Sequence, residues 1–251
     1  MKQILRKEYD LFCKKSKKKE RGYQNKVNWI KGRFKEGLKF KLLLVKESKG
    51  LTSRGFIEYI PGEYNWRGVQ ANGWMMIHCI WVVGRNKNKG YGSMLLEECF
   101  KDAEGMHGVT VMTAKKAAWL PKNGLFLKHG FKKVDEMDPY FELYAKAFSN
   151  GTPLPRFYPI SEDKMEEYSE GITILDSHQC PYSQKTNIPV KVYAESKNIP
   201  FQMKQLKDHK EAQQNQVYPY GTYCVLCEGK VVSHKPGSPK ETVDLLKKIV
   251  E

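Results

Sequence analysis

The chain has 251 residues, a formal net charge of +15 at pH 7, 40% hydrophobic residues and 12% aromatic residues. This length fits one large domain or two ordinary ones, and the apolar content is ample for packed cores. No run approaches the roughly 18 apolar residues of a membrane span, and the N-terminal segment lacks the apolar stretch of a signal peptide. The sequence therefore predicts a globular, cytoplasmic protein that does not enter a membrane.

The excess of positive charge lies in residues 1–50, which hold 17 Lys/Arg and 5 Asp/Glu. Aromatic residues are interleaved with these lysines, so the segment could bind nucleic acid or could form the solvated faces of helices. No recognised nucleic-acid motif accompanies it. We therefore expect the lysines of residues 14–19 to lie at the surface, without a specific nucleic-acid role.

The cysteines are scattered and lack the paired spacings of a metal site, which favours reduced thiols and predicts no bound metal. Cys224 and Cys227 form a C-x-x-C, but the surrounding residues alternate like a strand, in which residues three apart point to opposite faces. A zinc or redox pair is therefore not expected there. The six cysteines are Cys13, Cys79, Cys99, Cys180, Cys224 and Cys227.

Apolar periodicity predicts a helix over residues 21–37, followed by three strands and a basic glycine turn. After the turn we expect a helix to about Gly105, a strand, a second helix ending at Gly130, and a hairpin. The predicted strands are 38–47, 54–62, 73–84 and 108–114, the helix before the hairpin is 120–130, and the hairpin strands are 131–137 and 140–148.

The turn lies in "VVGRNKNKGYGSMLLEECF", residues 82–100. Gly90 and Gly92 leave the backbone N–H groups around them unscreened, and the following helix directs its positive dipole end to the same place. This combination predicts a phosphate cradle. The spacing is neither that of a dinucleotide fingerprint nor that of a P-loop, and an ordinary turn is the alternative.

With its elements in this order, residues 20–148 resemble the GNAT superfamily of acetyl-coenzyme A dependent N-acetyltransferases, whose signature directly follows the fourth strand of the family fold. "KNKGYG" (87–92) fills the family's signature with Lys in place of Gln/Arg, and "LFLKHGF" (125–131) matches its Gly-Phe landmark. The resemblance implies an α+β fold with a mixed central sheet and acetyl-CoA as the acyl donor. It also implies that the coenzyme is bound by Val82, Val83, Lys87, Asn88, Lys89, Gly90, Tyr91, Gly92 and Ser93.

In such an enzyme the amine must lose a proton, the oxyanion needs a donor such as the Val82 or Val83 amide, and the leaving thiolate can take a proton. As candidate bases we select Glu58 and His78, because both are titratable groups within otherwise apolar strands. The alternatives are a solvent-facing Glu58, a hydrogen-bonded core His78, and deprotonation of the amine by bulk water.

The tyrosine that donates a proton in the family corresponds here to Phe126, which has no proton to give. The asparagine that the family often has earlier on the same helix corresponds to Trp119. Either the thiolate leaves unprotonated, or Tyr91, Cys79 or Tyr140 donates the proton. A coenzyme A binding or sensing protein without catalysis is therefore an alternative function.

Prolines and then acids predict a linker over residues 150–170, between a first domain at 1–149 and a second at 171–251. The second domain reads as a smaller βαβαββα unit, the thioredoxin arrangement. "CPYS" at 180–183 resembles a monothiol glutaredoxin motif, in which a helix dipole would favour the Cys180 thiolate. Gly221 stands where that family has a cis-proline, so a redox role and a packing role both stay open.

Both domains together resemble the YoaP-like group of N-acetyltransferases, through "FIEYIP", "GYGSMLLEECFKDA", "PYFEL" and "QCPYS". The predicted function is transfer of an acetyl group from acetyl-CoA to the amine of a small molecule. A thiol-redox protein acting through Cys180 is a further alternative, and a homodimer is left open.

Overall fold

The computed structural model describes residues 2–3, 11–13, 17–48, 50–83, 89–115, 119–214 and 217–250. The chain divides into two compact units that each combine distant segments of the sequence. The first unit comprises Met1–Phe12, Gly32–Asn65 and Val69–Phe157, and the second comprises Cys13–Lys31, Trp66–Gly68 and Tyr158–Glu251.

The first unit contains a seven-stranded sheet in the order β1-β2-β3-β5-β6-β8-β7. β5 and β6 are parallel and the other neighbours are antiparallel, so the predicted mixed α/β sheet is confirmed. A short antiparallel pair, β4 with β9, stands beside it. The strands are β1 (Lys2–Gln3), β2 (Lys39–Glu47), β3 (Gly50–Pro61), β4 (Val69–Gln70), β5 (Trp74–Val82), β6 (Gly108–Ala114), β7 (Lys132–Met137), β8 (Phe141–Ala147) and β9 (Arg156–Phe157).

Two helices of this unit follow the sequence pattern to different extents. α2 (Tyr91–Asp102) joins β5 to β6 as expected and buries Leu95, Leu96 and Cys99 against the sheet. α3 (Gly124–Lys128) has only 5 residues, shorter than the predicted helix over 120–130. Pro121 precedes it in an irregular segment, and Gly130 ends it in the left-handed region at φ 81°.

The second unit contains a four-stranded sheet in the order β11-β10-β12-β13, with β10 parallel to β11 and antiparallel to β12. β12 is buried along its whole length, which accounts for the continuous apolar run of its sequence. The elements are α1 (Arg21–Arg33), α4 (Glu162–Glu166), β10 (Ile172–Asp176), α5 (Ser183–Ser196), β11 (Phe201–Gln205), α6 (His209–Gln214), β12 (Tyr223–Cys227), β13 (Lys230–Ser233) and α7 (Pro239–Val250).

The two compact units do not follow a single cut in the sequence, because α1 up to Lys31 belongs to the second unit. Trp29 of α1 packs edge-on against Trp66 at 5.4 Å between ring centroids. Gly22 lies so close to Pro181 that a Cβ would be 2.3 Å from its carbonyl oxygen. These long-range contacts carry no local sequence signal, so a division by composition at residue 149 misses them.

The predicted linker over 150–170 is partly structured. β9 pairs with β4, with Phe157 opposite Val69, and α4 is capped by Ser161, whose hydroxyl accepts a hydrogen bond from the Lys164 amide. Pairing and capping satisfy backbone groups that a plain linker would leave to water.

Among the helices of the described residues, none has both the length and the apolar character needed to cross a membrane.

Candidate active site

The site begins at a bulge in β5. Glu58 of β3 pairs with Cys79 and Tyr59 pairs with Ile77, so His78 is the extra residue of the bulge. β5 pairs with β6 only over Trp74–Ile77, opposite Gly108–Val111, although both strands continue further. A gap therefore opens between the two parallel strands directly after the bulge.

The two valines at the end of β5 present their amides differently. The Val83 amide donates to the Arg54 carbonyl at 3.0 Å, toward β3. Because successive N–H groups of a strand point to opposite sides, the Val82 amide is directed toward the gap. Of the two predicted oxyanion donors, Val83 is thus engaged within the sheet, and Val82 is the one that faces the gap.

The glycine turn leads from this gap into α2. Gly90 is the N-cap residue in the left-handed region at φ 75°, and the Met94 amide donates to its carbonyl at 3.1 Å. The amides of the first helical turn, Tyr91 to Ser93, precede that bond and have no partner within the helix. No acidic residue lies in the first turn, and a Cβ at Gly90 would meet no atom within 4 Å. Lys89 is exposed, whereas Lys87 and Asn88 lie outside the described residues.

Polar contacts that the sequence analysis did not find anchor α2 to the sheet. The Lys41 ammonium lies 2.7 Å from an Asp102 carboxylate oxygen and 3.2 Å from Glu98, and the Tyr59 hydroxyl donates to Asp102 at 2.7 Å. Although burial opposes it, the hydrogen bonds from Lys41 and Tyr59 hold the pKa of Asp102 below its usual value. This cluster fixes the helix whose first turn is the predicted phosphate cradle.

α3 packs beside the start of α2. A Cβ at Gly92 would lie 3.1 Å from a side-chain carbon of Leu125, so the glycine permits close approach. Nε2 of His129, just after α3, lies 2.8 Å from Oγ of Ser93. The sequence analysis used the neighbouring Gly-Phe landmark and missed this histidine.

The two candidate bases are brought together. His78 Nδ1 lies 3.7 Å from Glu58 Oε1, and both side chains have 0% exposure. The alternative of a solvent-facing Glu58 is therefore wrong. Ile57 and Tyr59 belong to the cluster beneath α2, so alternation puts Glu58 on the other face of the sheet.

Phe126, at the position of the family tyrosine, has 0% exposure and packs against Phe131 at 5.3 Å between ring centroids. Trp119 contacts Phe141 edge-on at 6.4 Å. The three alternative proton donors, Tyr91, Cys79 and Tyr140, are each partly exposed.

In the second unit, Cys180 is partly exposed in the loop before α5, and its carbonyl accepts a hydrogen bond from the Ser183 amide at 3.3 Å. The Asp176 carboxylate at the end of β10 is buried and accepts hydrogen bonds from the His178 amide at 2.7 Å and the Asn187 side chain at 2.8 Å. Burial raises the pKa of Asp176.

Residues 66–68 lie against the segment before β12. The Gly68 amide donates to the Pro219 carbonyl at 2.9 Å, and the buried Arg67 donates to the Tyr220 carbonyl at 2.9 Å. A Cβ at Gly221, which has φ 75°, would lie 2.2 Å from the Trp66 carbonyl oxygen. The glycine at the family's proline position is thus required by this packing.

Within the described part of the chain, no three His, Cys, Asp or Glu side chains cluster in a way that could hold a metal ion.

No family model matches the chain. Over 224 aligned residues it is 33% identical to the uncharacterized N-acetyltransferase YoaP of Bacillus subtilis (strain 168). The alignment covers 88% of this chain and 86% of YoaP. Among solved structures, the chain resembles a putative GNAT-family acetyltransferase from Desulfovibrio desulfuricans, with 15% sequence identity and a TM-score of 0.39. That comparison covers 49% of this chain and 78% of the other chain. A second is a GNAT-family acetyltransferase from Brucella melitensis in complex with acetyl-CoA, with 19% identity, 52% and 72% covered, and a TM-score of 0.33.

The mixed sheet and the glycine turn at the start of α2 agree with the fold expected from the sequence. The sequence similarity to YoaP extends over most of both chains. It shows that the chain belongs to the YoaP family of N-acetyltransferases. The predicted enzyme class, an acyltransferase, is thereby confirmed.

Proposed function

We propose that the chain transfers an acetyl group from acetyl-CoA to the amine of a small molecule. The observation that carries this proposal is the gap between β5 and β6, which opens directly before the unpaired amides at the start of α2. A strand edge with free backbone groups next to a helix N-terminus suits a ligand that has both an amide-bearing arm and phosphates.

The glycine turn fits the phosphate part of this ligand. The Gly90 environment is open, the first-turn amides of α2 are unpaired within the helix, and no acidic residue lies in that first turn. The exposed Lys89 adds a positive charge. We assign Lys87 and Asn88 to the same turn by the family resemblance.

Acetyl-CoA supplies the activated acyl group as a thioester, and the chain's own residues hold and orient the reactants. The Val82 amide, which faces the gap, is our candidate donor to the oxyanion. The buried Glu58–His78 pair is the candidate proton acceptor, and a water molecule would connect it to an amine that lies beyond direct reach.

The test is binding of coenzyme A by calorimetry, followed by a screen of small amines for thiol release from acetyl-CoA. Gly90→Val should abolish binding, because its side chain would fill the open space that the phosphates need. Gly105→Val is a matched control, since Gly105 has φ 82° and equally open surroundings at the other end of α2. Equal affinities of folded Gly90→Val and wild type would refute the proposal.

For the second unit we propose a thioredoxin-like fold that serves packing. The strand order and the parallel β10–β11 pair support that fold. The packing of Trp66 against Gly221 and of Gly22 against Pro181 supports a structural use of the Cys180 side of the unit. We further propose a cytoplasmic location, which suits the reduced thiols expected from the cysteine spacing.

A further inference from the structure

Tyr144 of β8 brings a phenol group to the α2 side of the sheet, next to the end of the β5–β6 pairing. It pairs with Val111 of β6, and Val111 also pairs on its other side with Ile77, the last β5 residue of that ladder. Tyr144 and Val111 both belong to the apolar cluster beneath α2. The gap between β5 and β6 therefore begins one strand away from Tyr144.

The Tyr144 hydroxyl lies at the start of α3. The Tyr144 side chain is 5% exposed, and its hydroxyl accepts a hydrogen bond from the side-chain amide of Asn123 at 3.0 Å. Asn123 is the N-cap residue of α3 and is partly exposed. Two residues later, Leu125 lies against Gly92 of the predicted phosphate cradle. The phenol thus reaches from the sheet to the edge of the apolar cluster, on the side of the cradle.

The hydrogen bond with Asn123 leaves the phenol proton available. A tyrosine hydroxyl can both donate and accept, and toward Asn123 it accepts. Within the described part of the chain this is the one hydrogen bond that the Tyr144 hydroxyl forms. Because Asn123 holds the oxygen through a lone pair, the O–H group can donate to a ligand without first giving up a partner in the protein.

Phe126 shows what this phenol replaces. It lies one helical turn after Asn123, and residues three apart share a face of a helix. Phe126 belongs to the same apolar cluster as Tyr144 and stands at the position of the tyrosine that donates a proton in the family. Tyr144 therefore brings to this face of α3, from a different strand of the chain, the hydroxyl that Phe126 lacks.

We infer that Tyr144 is the proton donor to the thiolate that leaves in the proposed acetyl transfer, and that Asn123 positions its hydroxyl. This inference rests on the proposed function and adds the acid that the sequence left open. When the tetrahedral intermediate collapses, the carbon–sulfur bond breaks with its electron pair on sulfur, and sulfur takes the Tyr144 proton. The phenolate then regains a proton from water. Lys133, which pairs with Tyr144 across β7 and β8, attracts the phenolate and so favours the transfer.

The proposed acid and the candidate base lie on opposite faces of the sheet. Glu58 is on the face away from α2, whereas Tyr144 is on the α2 side. The two groups serve different atoms, because the base takes a proton from the amine nitrogen and the acid gives one to the departing sulfur. The coenzyme is proposed to bind at the start of α2, so its sulfur enters the gap from the side of Tyr144. The amine would then attack from the side of Glu58.

The probe is coenzyme A, whose thiolate Tyr144 would face, and desulfo-coenzyme A, which lacks the sulfur, is the reference. Calorimetry is done at pH 9, because an ordinary thiol with a pKa of about 8.5 is then largely ionised. We expect wild type to bind coenzyme A about tenfold more tightly than desulfo-coenzyme A, the value of a hydrogen bond to a charged group. In Tyr144→Phe the two affinities should agree within about twofold, and that for desulfo-coenzyme A should stay within about twofold of wild type.

Two further variants complete the test. Asn123→Ala leaves the Tyr144 hydroxyl without its anchor and should lower the affinity ratio to about threefold, with unchanged binding of desulfo-coenzyme A. Tyr64→Phe is the matched control, because it removes the same hydroxyl from a side chain that is 41% exposed. Tyr64 follows the end of β3 that pairs with Met75, whereas Val82 pairs near the other end. Tyr64→Phe should keep the full ratio.

A tenfold ratio that survives in Tyr144→Phe would overturn the inference, as would equal affinities of wild type for the two ligands. Equal losses for both ligands in Tyr144→Phe would also overturn it, because the hydroxyl would then support the site's structure and not the sulfur. Loss of the ratio in Tyr91→Phe or Tyr140→Phe instead would assign the proton donor to that tyrosine. If wild type binds neither ligand, the proposed function itself fails.

Discussion

Nε2 of His129 lies 2.8 Å from Oγ of Ser93, and this contact joins the end of α3 to the first turn of α2. Ser93 is one of the residues expected to hold the coenzyme phosphates. Because the His129 ring holds the Ser93 hydroxyl in place, it also fixes the direction of the backbone amides next to Ser93. The contact therefore connects the segment of the Gly-Phe landmark to the predicted phosphate cradle.

His129→Ala should weaken coenzyme A binding by roughly fivefold, the value of one ordinary hydrogen bond. Binding of S-acetyl-pantetheine, which lacks the pyrophosphate, should change little. Calorimetry with both ligands measures the difference. Leu127→Ala is the control, because that side chain on α3 is 51% exposed. Equal losses for both ligands would show that His129 acts on the fold as a whole.

Phe126→Tyr should destabilise the protein by about 1–3 kcal/mol. Phe126 is fully buried in an apolar cluster with Phe131 and Leu95, so the added hydroxyl would lack a partner. Urea unfolding at neutral pH measures the change. A stability equal to that of wild type, together with a higher kcat, would show instead that the cluster has a place for the family's tyrosine hydroxyl.

Six strands of the first sheet, all except β1, could be predicted because their apolar runs and bounding glycines are local signals, and β6 matches its predicted range of 108–114. The bulge at His78 could not, because it depends on the register between β3 and β5. The choice of Glu58 and His78 came from titratable residues within apolar strands, and the structure brings them together. Contacts such as Ser93 with His129 join distant parts of the chain, so no local pattern indicates them.

Cys180 should be alkylated faster than Cys224 and Cys227. Cys180 is partly exposed at the start of a helical segment, where a thiolate is favoured. Burial raises the pKa of both strand cysteines, that of Cys224 well above its usual value. Iodoacetamide labelling of the native protein against pH, resolved by peptide, tests this.

Cys180→Ser should leave acetyl transfer close to wild type if the second unit serves packing. A thiol-linked activity that this variant loses would favour the redox alternative. A Cys180 that titrates at or above the ordinary thiol pKa of about 8.5 would contradict the prediction of a reactive thiol.

His234 should make the protein less stable as the pH falls. Its ring stacks on Tyr218 at 6.1 Å, and burial lowers the pKa of His234 to about 4. The unfolded chain, with a histidine pKa of about 6.5, binds the proton first, so this contribution is complete above pH 6.5 and is lost toward pH 4. Between pH 7.5 and 5 the loss of folding stability from this group should be about 2 kcal/mol.

Urea unfolding of the wild type and of His234→Phe, which keeps an aromatic ring, measures the difference between their pH dependences. Because both proteins retain Asp176, whose raised pKa has the opposite effect, its contribution cancels in the comparison. Parallel pH profiles would show that His234 accepts its proton in the folded state.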